Sequence, residues 1–198
     1  MPIERKNAYG YNDILAAARG DLFGEGYARL PAPPMLMLDC VTKIASSGGA
    51  FDRGHARAEF YIRPDLWFFD CHFKHDPLMP GALGIEALWQ LAGFYLAWYG
   101  CAGEARAIGG TIRFIDRIDD LTEVVEFGID VRRIGRAGLG LVVANGWARA
   151  DGRLAYTASD IRVACLPPGG PRRLERSPMP HVEDRRSWDN ARNPSAVP

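Results

Sequence analysis

The chain has 198 residues, 47% of them hydrophobic, which is enough material for one well-packed domain. Its 24 basic and 24 acidic residues cancel, so the overall charge gives no sign of a nucleic-acid or membrane partner. The first residues, MPIERKNAYG, lack an apolar signal core, and the one long apolar run is interrupted by Glu86 and Gln90, so we expect a cytoplasmic protein.

The first third of the chain predicts one short helix and one hairpin. Asn12 or Asp13 can cap a helix that ends near Gly20. After a proline-rich stretch, two β-rich runs at 35–44 and 55–62 flank the loop SSGGAFDRG, a pattern that is typical of a hairpin.

The most informative segment is residues 66–99, which read LWFFDCHFKHDPLMPGALGIEALWQLAGFYLAWY. From residue 82 to residue 98, Glu86 is the only ionisable carboxylate and Gln90 the only amide, and the rest is apolar around the whole circumference. This pattern predicts a buried central helix. Pro80 suits its first turn, where the free N–H groups and the helix dipole favour an oxyanion or a polarised carbonyl.

His72 precedes this helix start in an aromatic run, 66–73, which we expect to be strand-like. Its imidazole can then reach the same small volume as the helix start. An imidazole titrates near neutrality, and burial raises the pKa of a carboxyl group in general, so a histidine and a buried carboxyl suit base and acid catalysis. The pair His72 and Glu86 therefore predicts removal of a proton next to a thioester or ketone carbonyl.

Each of these residues also has a purely structural explanation. Glu86 can simply favour the helix dipole, and a histidine among aromatic residues is more often a core residue than a catalyst. A metal site is a further alternative, because five potential ligands crowd seven positions: Asp70, Cys71, His72, His75 and Asp76. No second ligand group stands at a zinc-binding spacing, so we predict no metal.

After the central helix, four β-rich runs at 107–118, 122–134, 139–149 and 154–165 predict a meander. Strands, a helix and then a meander are what one sheet around a helix requires. Beyond residue 166 the composition changes, since half of the 14 prolines lie there among arginines and acids. We therefore expect a single domain over 1–166 and a Pro/Arg-rich tail over 167–198 that is disordered or loosely packed.

Four arginines form a second candidate site. Arg132, Arg133 and Arg136 cluster at one strand end and turn, and Arg162 lies on the last predicted strand, which can approach them in a meander. A solvated surface is the simpler explanation for any single arginine. A cluster of guanidinium groups also suits phosphate and acidic helices.

Four long motifs occur in order along residues 11–166: RGDLFG, LPAPPMLMLD, PDLWFFDCHFKHDPLMPGALGIEALWQLAGFYLAW and DGRLAYTASDIRV. With them the chain resembles the bacterial 3-hydroxyacyl-[acyl-carrier-protein] dehydratases, most closely the 3-hydroxydecanoyl-[acyl-carrier-protein] dehydratase/isomerase family of fatty acid biosynthesis. The resemblance implies an α+β hotdog fold, in which a long central helix is wrapped by a curved antiparallel sheet.

The resemblance also implies a site and its partners. His72 and Glu86 fall on the catalytic positions, and Gly81, Ala82 and Gln90 on oxyanion or substrate-binding positions. The substrate arrives on the phosphopantetheine of acyl carrier protein, so no metal or redox cofactor is implied. The enzyme is a homodimer that builds each site from the histidine of one subunit and the carboxylate of the other. The resemblance implies that Arg132, Arg133 and Arg162 dock the acidic carrier protein, and we expect Arg136, which is this chain's own addition, to join them.

The sequence departs from this resemblance in three places. Members that isomerise carry Asp where this chain has Glu86 and usually Cys where it has Ala82, and the strand AIGGTIRF is one residue short. We therefore expect dehydration with weak or absent isomerisation. The alternatives are a dehydratase or isomerase of a polyketide or polyunsaturated pathway, a hotdog acyl thioesterase that uses Glu86 with Gln90, and a non-catalytic dimeric module.

Overall fold

A computed structural model of the protein describes residues 5–135 and 140–166, so Arg136 and the predicted tail at 167–198 lie outside the described residues. The described residues form two helices and six strands. In chain order these are α1 (Tyr11–Arg19), β1 (Cys40–Ala45), β2 (His55–Tyr61), α2 (Gly81–Tyr99), β3 (Glu104–Phe114), β4 (Val124–Gly135), β5 (Gly140–Ala150) and β6 (Arg153–Leu166).

The helix α1 confirms the predicted short helix, but its predicted cap is wrong. Gly10 is the N-cap residue, and the Asp13 carboxylate accepts a hydrogen bond of 3.2 Å from the Gly10 N–H. Asp13 therefore acts from the third helical position, where a carboxylate also favours the helix dipole. Gly20 ends the helix with φ 88°, a left-handed conformation that glycine adopts at no steric cost.

The six strands form one antiparallel sheet in the order β1-β2-β4-β5-β6-β3. The predicted hairpin of β1 and β2 is confirmed, although β1 begins at Cys40 and not at residue 35. The predicted meander holds for β4, β5 and β6, but β3 does not lie beside β4. Since β2 takes that position, β3 pairs with β6 at the far edge of the sheet.

The helix α2 lies against the sheet and contacts β2, β4, β5, β6 and β3, which are five adjacent strands. Five strands span about 19 Å at the usual spacing, whereas a helix is about 10 Å wide, so the sheet curves around the helix. The apolar circumference that predicted burial is indeed buried, from Leu83 to Trp98 with few interruptions. One long helix held in a curved antiparallel sheet is the hotdog fold that the sequence predicts.

The predicted strand-like conformation of residues 66–73 is wrong. The segment forms consecutive turns, in which the Phe69 N–H donates to the Leu66 carbonyl (2.9 Å) and the His72 N–H to the Phe68 carbonyl (2.9 Å). Phe68 and Phe69 are buried in the core. Aromatic residues are common in strands, but here their burial against the core decides the conformation instead of the local propensity.

Candidate active site

Two hydrogen bonds to Leu78 hold His72 in place. The Leu78 N–H donates to the His72 carbonyl (2.8 Å), and Nδ1 of the His72 ring lies 3.0 Å from the Leu78 carbonyl oxygen. A carbonyl oxygen can only accept, so Nδ1 carries the hydrogen and Nε2 of the neutral ring is unprotonated. Nε2 has no hydrogen-bond partner among residues 5–135 and 140–166. This tautomer gives His72 a nitrogen that is ready to accept a proton.

The start of α2 offers two backbone donors. The Leu83 N–H bonds to the Pro80 carbonyl at 2.8 Å, whereas the N–H groups of Gly81 and Ala82 have no acceptor in the described part of the chain. The first amides of a helix carry the positive end of its dipole. Gly81 and Ala82 can therefore stabilise a carbonyl oxygen that gains negative charge.

Glycine at two positions of α2 makes room for aromatic side chains. A Cβ atom at Gly81 would overlap the ring of Phe114 on β3, and one at Gly84 would overlap the ring of Tyr156 on β6. The two rings meet edge to face at 5.1 Å. Burial raises the pKa of Tyr156 to about 12, so this phenol stays neutral at physiological pH. These contacts fix the helix start on the sheet.

Glu86 and Gln90 lie one turn apart on α2, and both line a cavity of about 210 Å³. Glu86 is half-buried and Gln90 is 6% exposed. The Gln90 amide donates to Glu86 Oε1 at 3.1 Å. The lining also includes apolar side chains and two arginines, among them Leu30, Phe94, Val163, Arg29 and Arg106. The cavity thus holds a carboxylate in largely apolar surroundings.

The cavity at Glu86 contains only part of the predicted site. His72, Gly81 and Ala82 do not line the cavity that contains Glu86. Five helical positions separate Gly81 from Glu86, which is a rotation of about 140° and an advance of about 7.5 Å along the axis. The N–H groups of Gly81 and Ala82 point out of the first turn of α2 along the helix axis, whereas Glu86 lies more than one turn further along the helix.

Two of the predicted docking arginines meet at one carboxylate. Arg132 lies 2.7 Å from Asp160, and Arg162 lies 4.0 Å from the other oxygen of Asp160. Arg133 pairs across the sheet with Val143, which pairs in turn with Arg162, so Arg133 and Arg162 share one cross-strand row. Arg162 thus lies near Arg132 at Asp160 and in the same cross-strand row as Arg133.

Three features of these sites escaped the sequence analysis: Asp160 between the arginines, and Arg29 and Arg106 at the cavity. Arg29 precedes the proline-rich stretch and Arg106 lies on β3, and only tertiary packing places them beside Glu86. No local pattern in the sequence marks such contacts, because they join residues that are far apart along the chain.

The described ranges contain neither a cluster of three metal-ligating side chains nor a helix that is long and apolar enough to cross a membrane. The five potential ligands at positions 70–76 do not converge on one point.

The comparison with protein families decides the relationship of the chain. Residues 30–159 match the sequence profile of the FabA-like domain, which is more than half of the 198 residues. The chain belongs to the FabA-like domain family. The matched range includes His72, Glu86 and the arginines of β4 and ends before Arg162. This is a hotdog-fold family of dehydratases, in agreement with the predicted resemblance at the level of the family.

Solved structures similar to this family member share little sequence with it. AziG of S. sahachiroi is 16% identical over 57% of this chain and 84% of its own, with a TM-score of 0.45. The dehydratase heterocomplex ApeI:P of Xenorhabdus doucetiae is 16% identical over 70% and 87%, with a TM-score of 0.49. A candidate esterase of Mycobacterium tuberculosis is 18% identical over 70% and 98%, also with a TM-score of 0.49.

Proposed function

We propose that this protein dehydrates 3-hydroxyacyl thioesters carried on acyl carrier protein to trans-2-enoyl thioesters, in fatty acid biosynthesis. Membership of a dehydratase family supports the reaction type. The observation that carries the proposal is the state of His72: its Nδ1–H is committed to the Leu78 carbonyl, which leaves Nε2 as a base. A dehydratase needs such a base to remove the C2 proton.

In the proposed reaction, Nε2 of His72 accepts the C2 proton. The N–H groups of Gly81 and Ala82 stabilise the negative charge that develops on the thioester oxygen. Glu86 in its protonated form gives its proton to the C3 hydroxyl, which leaves as water while the C2–C3 double bond forms. The proton on His72 and the one lost from Glu86 are then exchanged with solvent, so the enzyme is restored. The chemistry needs no cofactor beyond the phosphopantetheine arm of the substrate.

The proposed enzyme is a homodimer that completes each site with residues of both subunits. In one protomer the cavity at Glu86 is lined neither by His72 nor by the start of α2, which supports a site completed by a second subunit. The strand β3 supports this assembly, because it is an edge of the sheet and carries the exposed residues Ile108 and Phe114. A long exposed edge strand favours pairing with another chain.

The arginine cluster of Arg132, Arg133 and Arg162 is the proposed docking site for the carrier protein, to which Arg136 adds a further charge. Asp160 lies between Arg132 and Arg162 and neutralises part of the positive charge of this cluster. The remaining guanidinium donors suit a phosphate or an acidic helix, to which they can form charge-assisted hydrogen bonds.

A hotdog acyl thioesterase is the second candidate, and one observation favours it. Glu86 and Gln90 share a cavity within a single protomer, and His72 is not part of it. A carboxylate that activates water would serve hydrolysis without the histidine. Hydrolysis predicts release of free thiol, whereas dehydration predicts conjugated enoyl thioester.

One assay separates these candidates. The protein is incubated with a 3-hydroxydecanoyl thioester while enoyl absorbance and free thiol are recorded together. We expect enoyl product with little thiol, and loss of it in His72→Ala. Thiol release that survives in His72→Ala would contradict the dehydratase proposal, and the absence of both products would favour the non-catalytic module.

We also propose that isomerisation to the cis-3 product is weak or absent. Glu86 is one methylene longer than the Asp of isomerising members, and displacement of a catalytic group by about 1 Å can cost roughly a hundredfold in rate. Isomerisation is the more demanding step, since C2 and C4 must both lie beside His72. Chromatography of the products tests this: a cis-3 fraction equal to that of an authentic isomerase would contradict it.

A further inference from the structure

Two buried cysteines lie together where α2 ends. Cys101 directly follows Gly100, the residue that ends the helix, and it is 9% exposed. Cys165 is the last residue but one of β6 and is 1% exposed. The two cysteines are 64 positions apart in the sequence, so only the fold brings them into contact. Neither belongs to the proposed catalytic site.

The side chains of this pair converge beside Gly140, which is the partner of Cys165 in the register of β5 and β6. The Cys165 thiol donates to the Cys101 carbonyl oxygen, with Sγ and oxygen 3.8 Å apart. A Cβ atom at Gly140 would lie 2.7 Å from Cβ of Cys101 and 3.5 Å from Cβ of Cys165. Because glycine has no Cβ atom, the place where the two side chains meet stays open.

This arrangement is close to the geometry of a disulfide. The two Cβ atoms of a disulfide are about 3.5 to 4.5 Å apart. Since both cysteine Cβ atoms lie near the same point at Gly140, a small shift is enough to bring them to that separation. Cys101 lies in the short connection between α2 and β3, where such a shift is easier than within a strand.

We infer that Cys101 and Cys165 are a site of reversible oxidation, at which a two-electron oxidant such as hydrogen peroxide joins them in a disulfide. The Cys101 thiolate attacks one peroxide oxygen and becomes a sulfenic acid, while hydroxide leaves and takes up a proton. The sulfur of Cys165 then displaces the sulfenic oxygen, which leaves as water with the proton of that thiol. One peroxide is reduced to two water molecules for two thiols oxidised.

Burial sets the order of these steps. It raises the pKa of the Cys165 thiol to about 11, so this residue stays protonated at physiological pH. The thiolate is the reactive form of cysteine, and an oxidant reaches the more exposed Cys101 more readily. Buried thiols react slowly, so the pair stays reduced in a reducing compartment and joins only under oxidising conditions.

The disulfide would connect the end of α2 to the end of β6. It constrains a long loop of the unfolded chain, which stabilises the folded state. We expect oxidation to raise the melting temperature by about 5 to 10 °C. Cys165 also pairs with Ala105 of β3, which lines the cavity at Glu86, so the bond forms beside one wall of that cavity.

The test uses a Cys40→Ala/Cys71→Ala variant, in which Cys101 and Cys165 are the two remaining cysteines. The folded protein is treated with hydrogen peroxide and digested without reductant. Mass spectrometry should find the peptides of residues 101 and 165 joined, with the loss of two hydrogen atoms. The melting temperature should rise with oxidation and return to its first value after dithiothreitol.

The matched control adds Cys165→Ala, which removes the second sulfur. Cys101 should then stop at the sulfenic acid, which dimedone traps, and peroxide should leave the melting temperature unchanged. Because the loss of a buried side chain lowers stability by itself, each variant is compared with its own reduced form.

Three results would overturn the inference. One is the absence of joined peptides after treatment with peroxide and with the thiol oxidant diamide. Another is a joined pair whose melting temperature does not rise. The third is a bond between two chains, which a denaturing gel without reductant shows as a doubled mass.

Discussion

The two edge strands of the sheet differ, because another segment of the same chain covers β1 and none covers β3 in the described ranges. At β1 the chain covers its own edge: Tyr9 exchanges two backbone hydrogen bonds with Val41, of 2.8 and 2.9 Å, and the Ile44 N–H donates to the Asn7 carbonyl. At β3 the only strand partner in the described ranges is β6, and eight of the eleven residues are exposed.

This difference shows which edge is prepared for a partner. Open edges pair readily with other chains, so proteins usually cover those that must stay free. Here the segment before α1 covers β1, whereas β3 presents Ile108 and Phe114, which are 57% and 56% exposed. We therefore assign the dimer contact to β3, and the predictions below test this assignment and the different role of β1.

The largest effect is expected at the proposed catalytic pair, which dimerisation through the open β3 edge would complete. His72→Ala and Glu86→Ala should each reduce dehydration about a thousandfold or more, because each removes one member of a cooperating pair. Mixed and refolded together, the two inactive variants should regain about a quarter of wild-type activity, since about half of the dimers are hybrids with one intact site. No recovery despite confirmed hybrid dimers would place both residues in one subunit's site.

A substitution at the covered β1 edge should lower the stability of the fold and leave dimerisation unchanged. Tyr9 is 3% exposed and packs edge to face against Phe23 and Phe94. Tyr9→Ala should lower the free energy of unfolding by about 3 kcal/mol, the usual cost of deleting a buried aromatic ring. Denaturant unfolding measures this loss, and light scattering should still find a dimer. A monomeric but stable variant would assign the contact to β1.

The sequence predicted the elements of this fold better than their arrangement. The apolar circumference of α2 and the β-rich runs are local patterns, and the helix extends only one residue beyond each predicted end. The place of β3 beside β6 depends on contacts between distant segments. Residues 66–73 form turns although their aromatic composition favours a strand, because burial of Phe68 and Phe69 outweighs local propensity.

The same distinction applies to the site. Glu86 and Gln90 stood out as polar residues within an apolar helix, and both line the cavity. Their hydrogen bonds to the segment at 35–37 could not be predicted, because that segment was expected to belong to a strand. The absence of His72 from this cavity could not be predicted either, because it depends on the path of residues 66–80, which form turns and not a strand.

The open edge itself is tested by Ile108→Asp. A charge on each of two paired β3 strands would repel across the contact, so the protein should become monomeric and lose activity at least about tenfold. Because Ile108 is exposed in the protomer, unfolding should be little affected. Leu121→Asp is the matched control, since Leu121 is 85% exposed and lies in a turn outside the strands. A dimeric Ile108→Asp variant with full activity would contradict pairing through β3.

The smallest effect is expected where the arginine cluster meets the open edge. Arg162 pairs with Gly109 of β3, so the proposed docking surface lies directly beside the proposed dimer contact. Replacing Arg132, Arg133 and Arg162 by Glu should raise KM for carrier-bound substrate about three- to tenfold and reduce its salt dependence, because rim charges act mainly on encounter. A small N-acetylcysteamine thioester has no carrier protein, and its KM should not change.

Asp160→Asn gives the opposite charge change at the same place and should lower KM for the carrier-bound substrate. Equal losses with both substrates, together with a monomeric triple variant, would show that these arginines support the dimer and not the carrier protein.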